Sequence, residues 1–289
     1  MDNIRLLMVT EGLHQRFGGQ AVSIANLVST ISETGYDIKL LAGIRNRSDK
    51  IGINPFPKCQ CSYFRYFTKF KFSPSLVCEL FRLRNDFEIL HCNGIWNFIS
   101  LVCALFCLIF KKKLVLSPRG MAAIESINRS KLRQVYFALV QLPMMNWCSF
   151  LHVTSVQEQR DLLEKGVQAE IILAPNGVRD FPVVRFDDVQ NLRQKVKQVC
   201  FVGRICQYKN VDLLIRAFAE LDDGFSDWKL CLAGPIEDRA YFNKIVSSIS
   251  FMENKEKILY LGPLNYDELI KLYSETSFLV CCSNSENFG

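Results

Sequence analysis

The run Phe201–Leu221, FVGRICQYKNVDLLIRAFAEL, decides how this chain is read. Its first residues are those of a strand end, and Gly203 offers a sharp turn there. Asn210 stands where a helix N-cap belongs, and Val211, Leu214, Ile215 and Phe218 follow at the spacing of a helix with one buried face. Two cations, Arg204 and Lys209, precede that helix. The dipole and unpaired N–H groups of a helix start add to their charge, which makes a site for a diphosphate. Taken alone, the same two residues also read as solvated loop side chains, the usual state of Arg and Lys in a loop.

Outward from this run the chain keeps one rhythm. Ile4–Thr10 is a β-run, and EGLHQRFGG brings Gly18 and Gly19 to the start of a helix over 20–32. Gly35-Tyr36-Asp37 closes that helix and Ile38–Ala42 is the next strand, a β-α-β opening that implies a parallel, doubly wound sheet. Further strands are predicted at Phe87–Cys92, Leu114–Leu116, Phe150–Val153, Ile171–Leu173, Trp228–Ala233, Ile258–Leu261 and Ser277–Cys281. Helices are predicted between them, including one that follows Met121 and runs to about Trp147. The apolar run Ile95–Phe110 falls short of the roughly 20 residues that cross a bilayer, so it reads as a buried helix. The 289 residues suffice for two cores. The reading is a first domain over 1–178, a polar linker over 179–197 and a second Rossmann-like domain over 198–289.

Charge is unevenly placed. Residues 1–180 hold 22 Lys+Arg against 14 Asp+Glu, whereas residues 181–289 hold 13 against 15. A basic first half points to an anionic partner such as a membrane surface, and no nucleic-acid-binding motif supports the rival reading. The segment Phe56–Phe72 interleaves Lys58, Arg65, Lys69 and Lys71 with seven Phe or Tyr and no acid. It reads either as a strand and loop packed on the domain, or as a basic-aromatic surface that meets anionic lipid. Of the twelve cysteines, Cys103, Cys107, Cys200, Cys231, Cys281 and Cys282 lie in apolar runs, where a thiol behaves as a small hydrophobe. With no signal peptide, this implies a reducing cytoplasm. Cys59 and Cys61 lack the second pair that a zinc site needs, and no metal site is expected.

Several motifs in order carry a family resemblance. The Arg204/Lys209 spacing resembles the G-R-x4-K-[GN] segment of GT-B glycosyltransferases, in particular the retaining family 4. The Gly18-Gly19 loop, ILHCNGIW around His91, SPRGM around Arg119, the Thr154-Ser155 turn and the PNGV hinge at 175–178 are similar to that family's elements. So are Leu261-Gly262 with the helix over 265–273, where relatives hold the nucleotide base. The terminal SNSENFG resembles the first half of an E-x7-E motif. One position departs: Asn93 stands where the family often has a second histidine.

The resemblance implies a GT-B fold, two Rossmann-like domains facing a cleft with the second incomplete. It implies transfer of a sugar, with retention, from a nucleotide-diphosphate sugar to a glycan or lipid-linked acceptor in cell-surface polysaccharide or lipopolysaccharide synthesis. Arg204, Lys209 and Glu286 become the catalytic candidates. Gly18, Gly19, Gly203, Asn287, Phe288 and Gly289 join them in holding the donor, and His91 and Arg119 lie on the acceptor side. The donor is then the only small-molecule partner, with no cofactor, no metal and no nucleic acid. The place of work is the cytoplasm, in peripheral contact with the inner face of the membrane. The chain stops inside the E-x7-E motif, so an inactive truncated fragment is the alternative, together with a sugar-nucleotide epimerase, against which SPRGM and the Arg204/Lys209 spacing argue. An exposed apolar face is expected where further helices would pack.

Overall fold

The structure is a computed structural model that describes residues 4–284 apart from 15, 16, 18, 51–58, 178–196, 222, 226 and 254. The described residues fall into two compact units, one on each side of the 178–196 segment.

The first unit is built on one parallel sheet. Its strands are β1 (Arg5–Thr10), β2 (Asp37–Ile44), β3 (Gln60–Arg65), β4 (Ile89–Asn93), β5 (Lys113–Ser117), β6 (Phe150–Val153) and β7 (Ile171–Leu173), in the order β3-β2-β1-β4-β5-β6-β7. Side chains alternate across it: Leu7 and Val9 enter the core on one face, and Met8 enters the core on the other. A strand buried on both faces needs the near-continuous apolar run RLLMVT. The crossovers put α1 (Gly19–Glu33) on one face. They put α2 (Pro74–Arg82), α3 (Phe98–Phe110) and α7 (Val156–Glu164) on the other. The strand order therefore reverses between β1 and β4, where Thr10 pairs with Asn93.

Two sequence expectations are corrected here. The predicted helix to Trp147 is interrupted at Arg129–Ser130, which separate α4 (Ile124–Asn128) from a helix that runs on from Lys131 to Trp147 as α5 (Lys131–Tyr136), a π-helical turn at Phe137–Gln141 and α6 (Leu142–Trp147). Ser130 starts α5 afresh by accepting from Arg133 N. Pro143 has no N–H for the carbonyl four residues back, and the wide turn lies just before it. Helix α3 is also not wholly buried: Ile99, Cys103, Phe106 and Cys107 face the core while Leu105, Leu108 and Ile109 are exposed.

The basic-aromatic segment is sorted by the fold as well. Phe64 and Tyr66 are buried, whereas Phe67, Phe70 and Phe72 are exposed on a tight turn closed by Phe67 N donating to Phe72 O (2.8 Å). Thr68 and Lys71 hold left-handed backbone there, with φ of 61° and 60°. Phe56 and Lys58 lie outside the described residues.

The second unit has four parallel strands, β8 (Gln198–Val202), β9 (Lys229–Ala233), β10 (Ile258–Gly262) and β11 (Phe278–Leu279), in the order β10-β9-β8-β11. Helix α8 (Val211–Ala219) buries Val211, Leu214, Ile215 and Phe218, the four residues that its spacing marked. Helix α9 (Arg239–Ser250) adds Ile245 to the same core. Helix α10 (Tyr266–Ser274) opens with a capping box in which Asn265 and Glu268 each accept from the other's backbone N–H. The last strand is only two residues long rather than the five expected. Both residues are exposed, as is Cys281, which is therefore not the buried hydrophobe that its neighbours suggested.

All twelve cysteines are free thiols. Among the described residues no helix is long and apolar enough to cross a membrane.

Candidate functional site

In open parallel sheets, ligands bind beyond the carboxyl ends of the strands where the strand order reverses. In the first unit that place is the end of β1 and β4. Glu11, the residue after β1, is buried and accepts from Lys71 Nζ and from Asn97 Nδ2. Asn97 also accepts from Ser100 N (3.0 Å), capping α3. A carboxylate in such a place persists because a cation and an amide both hold it. Lys71 is thus committed to Glu11 and is not the free lipid-facing cation of the sequence reading.

Arg119 sits beside this pair on a left-handed backbone (φ 55°), followed by Gly120 (φ 76°). Glu158 holds the turn, accepting from Gly120 N and from Thr154 N (2.8 Å). The guanidinium donates through Nε (3.0 Å) and Nη2 (2.9 Å) to Asn93 Oδ1, and through Nη1 (2.5 Å) to Asn176 Oδ1. These partners are neutral amide oxygens. Burial lowers the Arg119 pKa to about 10, with the Glu158 charge opposing the shift, so the side chain stays cationic at neutral pH. The site therefore offers a half-buried positive charge to an anionic or hydroxyl-rich ligand. Asn93 supplies an oxygen that accepts two N–H groups at once, which one imidazole nitrogen does less well.

His91, in the middle of β4, is buried with Nε2 3.3 Å from His152 Nδ1, and His152 Nε2 lies 2.9 Å from Ala174 O. A carbonyl only accepts, so His152 Nε2 carries its proton and Nδ1 is bare, which makes His91 Nε2 the donor between the rings. Both rings are neutral in this chain of bonds. Burial is the first cause that lowers both pKa values, with the His152 and Arg119 charges adding at His91. The pair ties β4 and β6 to the 174–176 segment.

The unfolded state, with ordinary histidines, binds protons below about pH 6.5 that the folded state refuses, so stability is lost as pH falls. We expect a loss of up to about 1.4 kcal/mol per pH unit for each ring below that value. Denaturant melts at pH 7.5 and 5.5 check it: the acid loss should shrink in a His91→Asn/His152→Gln variant.

In the second unit, Arg204 and Lys209 come together on one ring. The Arg204 guanidinium carbon and Lys209 Nζ each lie 5.5 Å from the centre of Tyr208. Arg204 also pairs with Glu237 at 2.8 Å. Gly203 lies at a bend directly after β8 without positive φ, so the turn there needs no left-handed backbone. The strict requirement falls on Gly234 (φ 138°), where an added Cβ would come 1.9 Å from Gly203 O.

The start of α8 also differs from the sequence reading. Asn210 is left-handed (φ 50°) and its side chain makes no cap bond. It donates instead to Cys282 O (3.0 Å) and Asn284 Oδ1 (2.6 Å). Asp212 N donates to Tyr241 Oη (3.1 Å), whose hydroxyl returns a bond to Asp212 Oδ1. With its own acid in the first turn, the helix end adds less to an anion site than the two cations do.

Asn284 N donates to Tyr208 O (2.9 Å), so the segment leading to Glu286 is anchored on the Lys209 loop. Glu286, Asn287, Phe288, Gly289 and Gly18 themselves lie outside the described residues. Gly19 is the first residue of α1, and a Cβ there would meet nothing within 4 Å. Among the described residues no group of three His, Cys, Asp or Glu could hold a metal ion.

The sequence reading missed Glu11, Asn97, His152, Glu158, Tyr208 and Glu237. An acid directly after a buried strand was the one local sign of Glu11. The others are recognisable only by what they touch.

The family model described as Glycosyltransferase Family 4 matches residues 17–180, and that described as Glycosyl transferases group 1 matches 185–289. The chain belongs to glycosyltransferase family 4. Over 93 residues it is 32% identical to "Uncharacterized glycosyltransferase MJ1607" of Methanocaldococcus jannaschii, a stretch that covers 32% of this chain and 23% of that protein. Among solved structures it is similar to Anabaena Alr3699/HepE in complex with UDP and glucose, with TM-score 0.75 and 16% identity over 99% of this chain and 76% of the other. Sucrose-phosphate synthase (tll1590) from Thermosynechococcus elongatus gives 0.75 and 17%, over 99% and 77%. At such identity the likeness is one of fold. Each parallel-sheet unit of this family 4 chain fits GT-B, with the second the smaller.

Proposed function

We propose that the chain transfers a sugar, with retention at the anomeric carbon, from a nucleotide-diphosphate sugar to a glycan or lipid-linked acceptor in cell-surface polysaccharide synthesis. The observation that carries this reading is the pairing of Arg204 and Lys209 on Tyr208 at the end of β8. Two cations there balance the charge that develops on a departing diphosphate, which is where electrostatic stabilisation accelerates transfer most. HepE, similar in fold, was solved with UDP and glucose, which supports a UDP-sugar as donor.

In this reading Arg204 and Lys209 hold the donor diphosphate, with Gly203 beside them at the end of β8. Arg119 and the neighbouring Asn93 receive the acceptor in the first unit, and His91 positions that strand end. The leaving phosphate takes the acceptor proton on the same face as attack, and the reaction calls for no cofactor beyond the donor. Twelve free thiols fit work in the cytoplasm.

The test is calorimetric titration with UDP, ADP and GDP, followed by proton NMR of the product formed from the matching sugar nucleotide. Binding of one diphosphate and an anomeric configuration like that of the donor are expected. No binding, or an inverted product, overturns the reading.

A further inference from the structure

The turn between Arg204 and Lys209 divides its side chains. Ile205 and Cys206 are buried, while Tyr208 stays 37% exposed beside the two cations. Gln207–Lys209 is a single 3₁₀ turn, closed by Asn210 N donating to Gln207 O (3.1 Å). Other segments grip its backbone. Ile205 N donates to Pro235 O (2.9 Å), and Asn284 N donates to Tyr208 O itself (2.9 Å). The Cys282 thiol donates to Lys209 O (3.2 Å), and Asn210 Nδ2 donates to Cys282 O (3.0 Å). With its own carbonyl and both flanks held, Tyr208 is the fixed point of this loop.

Both cations use that fixed point. Each lies 5.5 Å from the ring centre, within the roughly 6 Å over which a ring face attracts a cation. Burial raises the Tyr208 pKa, with the Arg204 charge opposing the shift, so the phenol stays protonated. The attraction is therefore to the ring and not to a phenolate. A ring also differs from a carboxylate as a partner. Glu237 supplies Arg204 with a counter-charge that a diphosphate must displace, whereas Tyr208 holds both side chains and supplies none.

We propose that Tyr208 is a positioning residue of the donor site: its ring holds Arg204 and Lys209 beside each other, so that one diphosphate meets both at once. This role rests on the transfer reading above, and Tyr208 acts through the two cations. Arg and Lys are long and flexible, and each loses rotamer freedom when it closes on a phosphate. Restraining both in advance is worth about tenfold in affinity. Cations fixed before the diphosphate departs also need no rearrangement as its charge develops.

The experiment is calorimetric titration of the full chain with UDP, ADP and GDP, in the wild type, Tyr208→Leu, Tyr208→Phe, Arg204→Ala and Arg204→Ala/Tyr208→Leu. Tyr208→Leu should weaken the diphosphate that binds by about tenfold. Tyr208→Phe keeps the ring without the hydroxyl and should bind like the wild type. In the double variant the two losses should fall short of their product, because the ring then has one cation fewer to hold. A merely structural role would give losses that multiply. Proton NMR supplies a readout without donor: ring current should move the Lys209 ε-methylene protons upfield, and Tyr208→Leu should abolish that shift. Wild-type affinity in Tyr208→Leu with weakened Arg204→Ala overturns the role of Tyr208 and leaves the transfer reading standing. So do multiplying losses, or a Lys209 resonance that the substitution does not move. No diphosphate binding by the wild type overturns the transfer reading and the role of Tyr208 with it.

Discussion

An Arg204→Ala variant should bind a nucleoside diphosphate about 10–100-fold more weakly, the loss expected for one charged hydrogen-bond partner of phosphate. The transfer rate should fall further, by about 10²–10³-fold, because the same charge is worth most when the diphosphate departs. Lys209→Ala should act in the same direction. The two cations share Tyr208, so their losses should not add. Arg204→Lys should recover part of the binding but little of the rate, since an ammonium lacks the planar fork that fits phosphate. Glu237→Gln works the other way. It removes the carboxylate paired to Arg204 at 2.8 Å and should tighten diphosphate binding. Titration calorimetry with UDP reads all four variants, and unchanged affinity in Arg204→Ala would remove that residue from the donor site.

The second large effect is on stability. Lys71→Met should cost about 3 kcal/mol, the lower end of the range for stripping one partner from a buried ion pair. The carboxylate of Glu11 is left behind at 7% exposure, held by Asn97, while Lys71 itself is 20% exposed. Glu11→Gln alone should also destabilise the protein. The double variant should recover much of the loss, because no buried charge then lacks its counterpart. Urea melts of the four proteins in the cycle measure this coupling. Additive losses would mean that the pair is no more than a surface contact.

How much of this was legible beforehand depended on the range of the interaction. The residues of α8 announced their buried face because helix periodicity is a local property, and Val211, Leu214, Ile215 and Phe218 are all buried. The strands Phe150–Val153 and Ile171–Leu173 were equally plain, bounded by turn residues and rich in apolar side chains. The widened turn before Pro143 has its cause in the sequence, since proline lacks the N–H that a regular α-turn would use there. Gly234 was visible as part of a turn, yet the reason for glycine lies in Gly203 O, which only the pairing of β8 with β9 brings near.

The amino-acid sequence by itself determined two successive α/β units, the motifs at strand ends and the concentration of basic residues in the first half. These follow from periodicity, turn chemistry and composition, which act over a few residues. Only the tertiary structure decided which cations remain available. It spends Lys71 on Glu11, 60 residues away, and pairs Arg204 with Glu237. It leaves Arg119 hydrogen-bonded to neutral amides from β4 and from the 174–176 segment. It also turned one side of an apolar run outward. Hydropathy reports how much a segment avoids water, but which face finds a core is fixed by the strands and helices that pack against it.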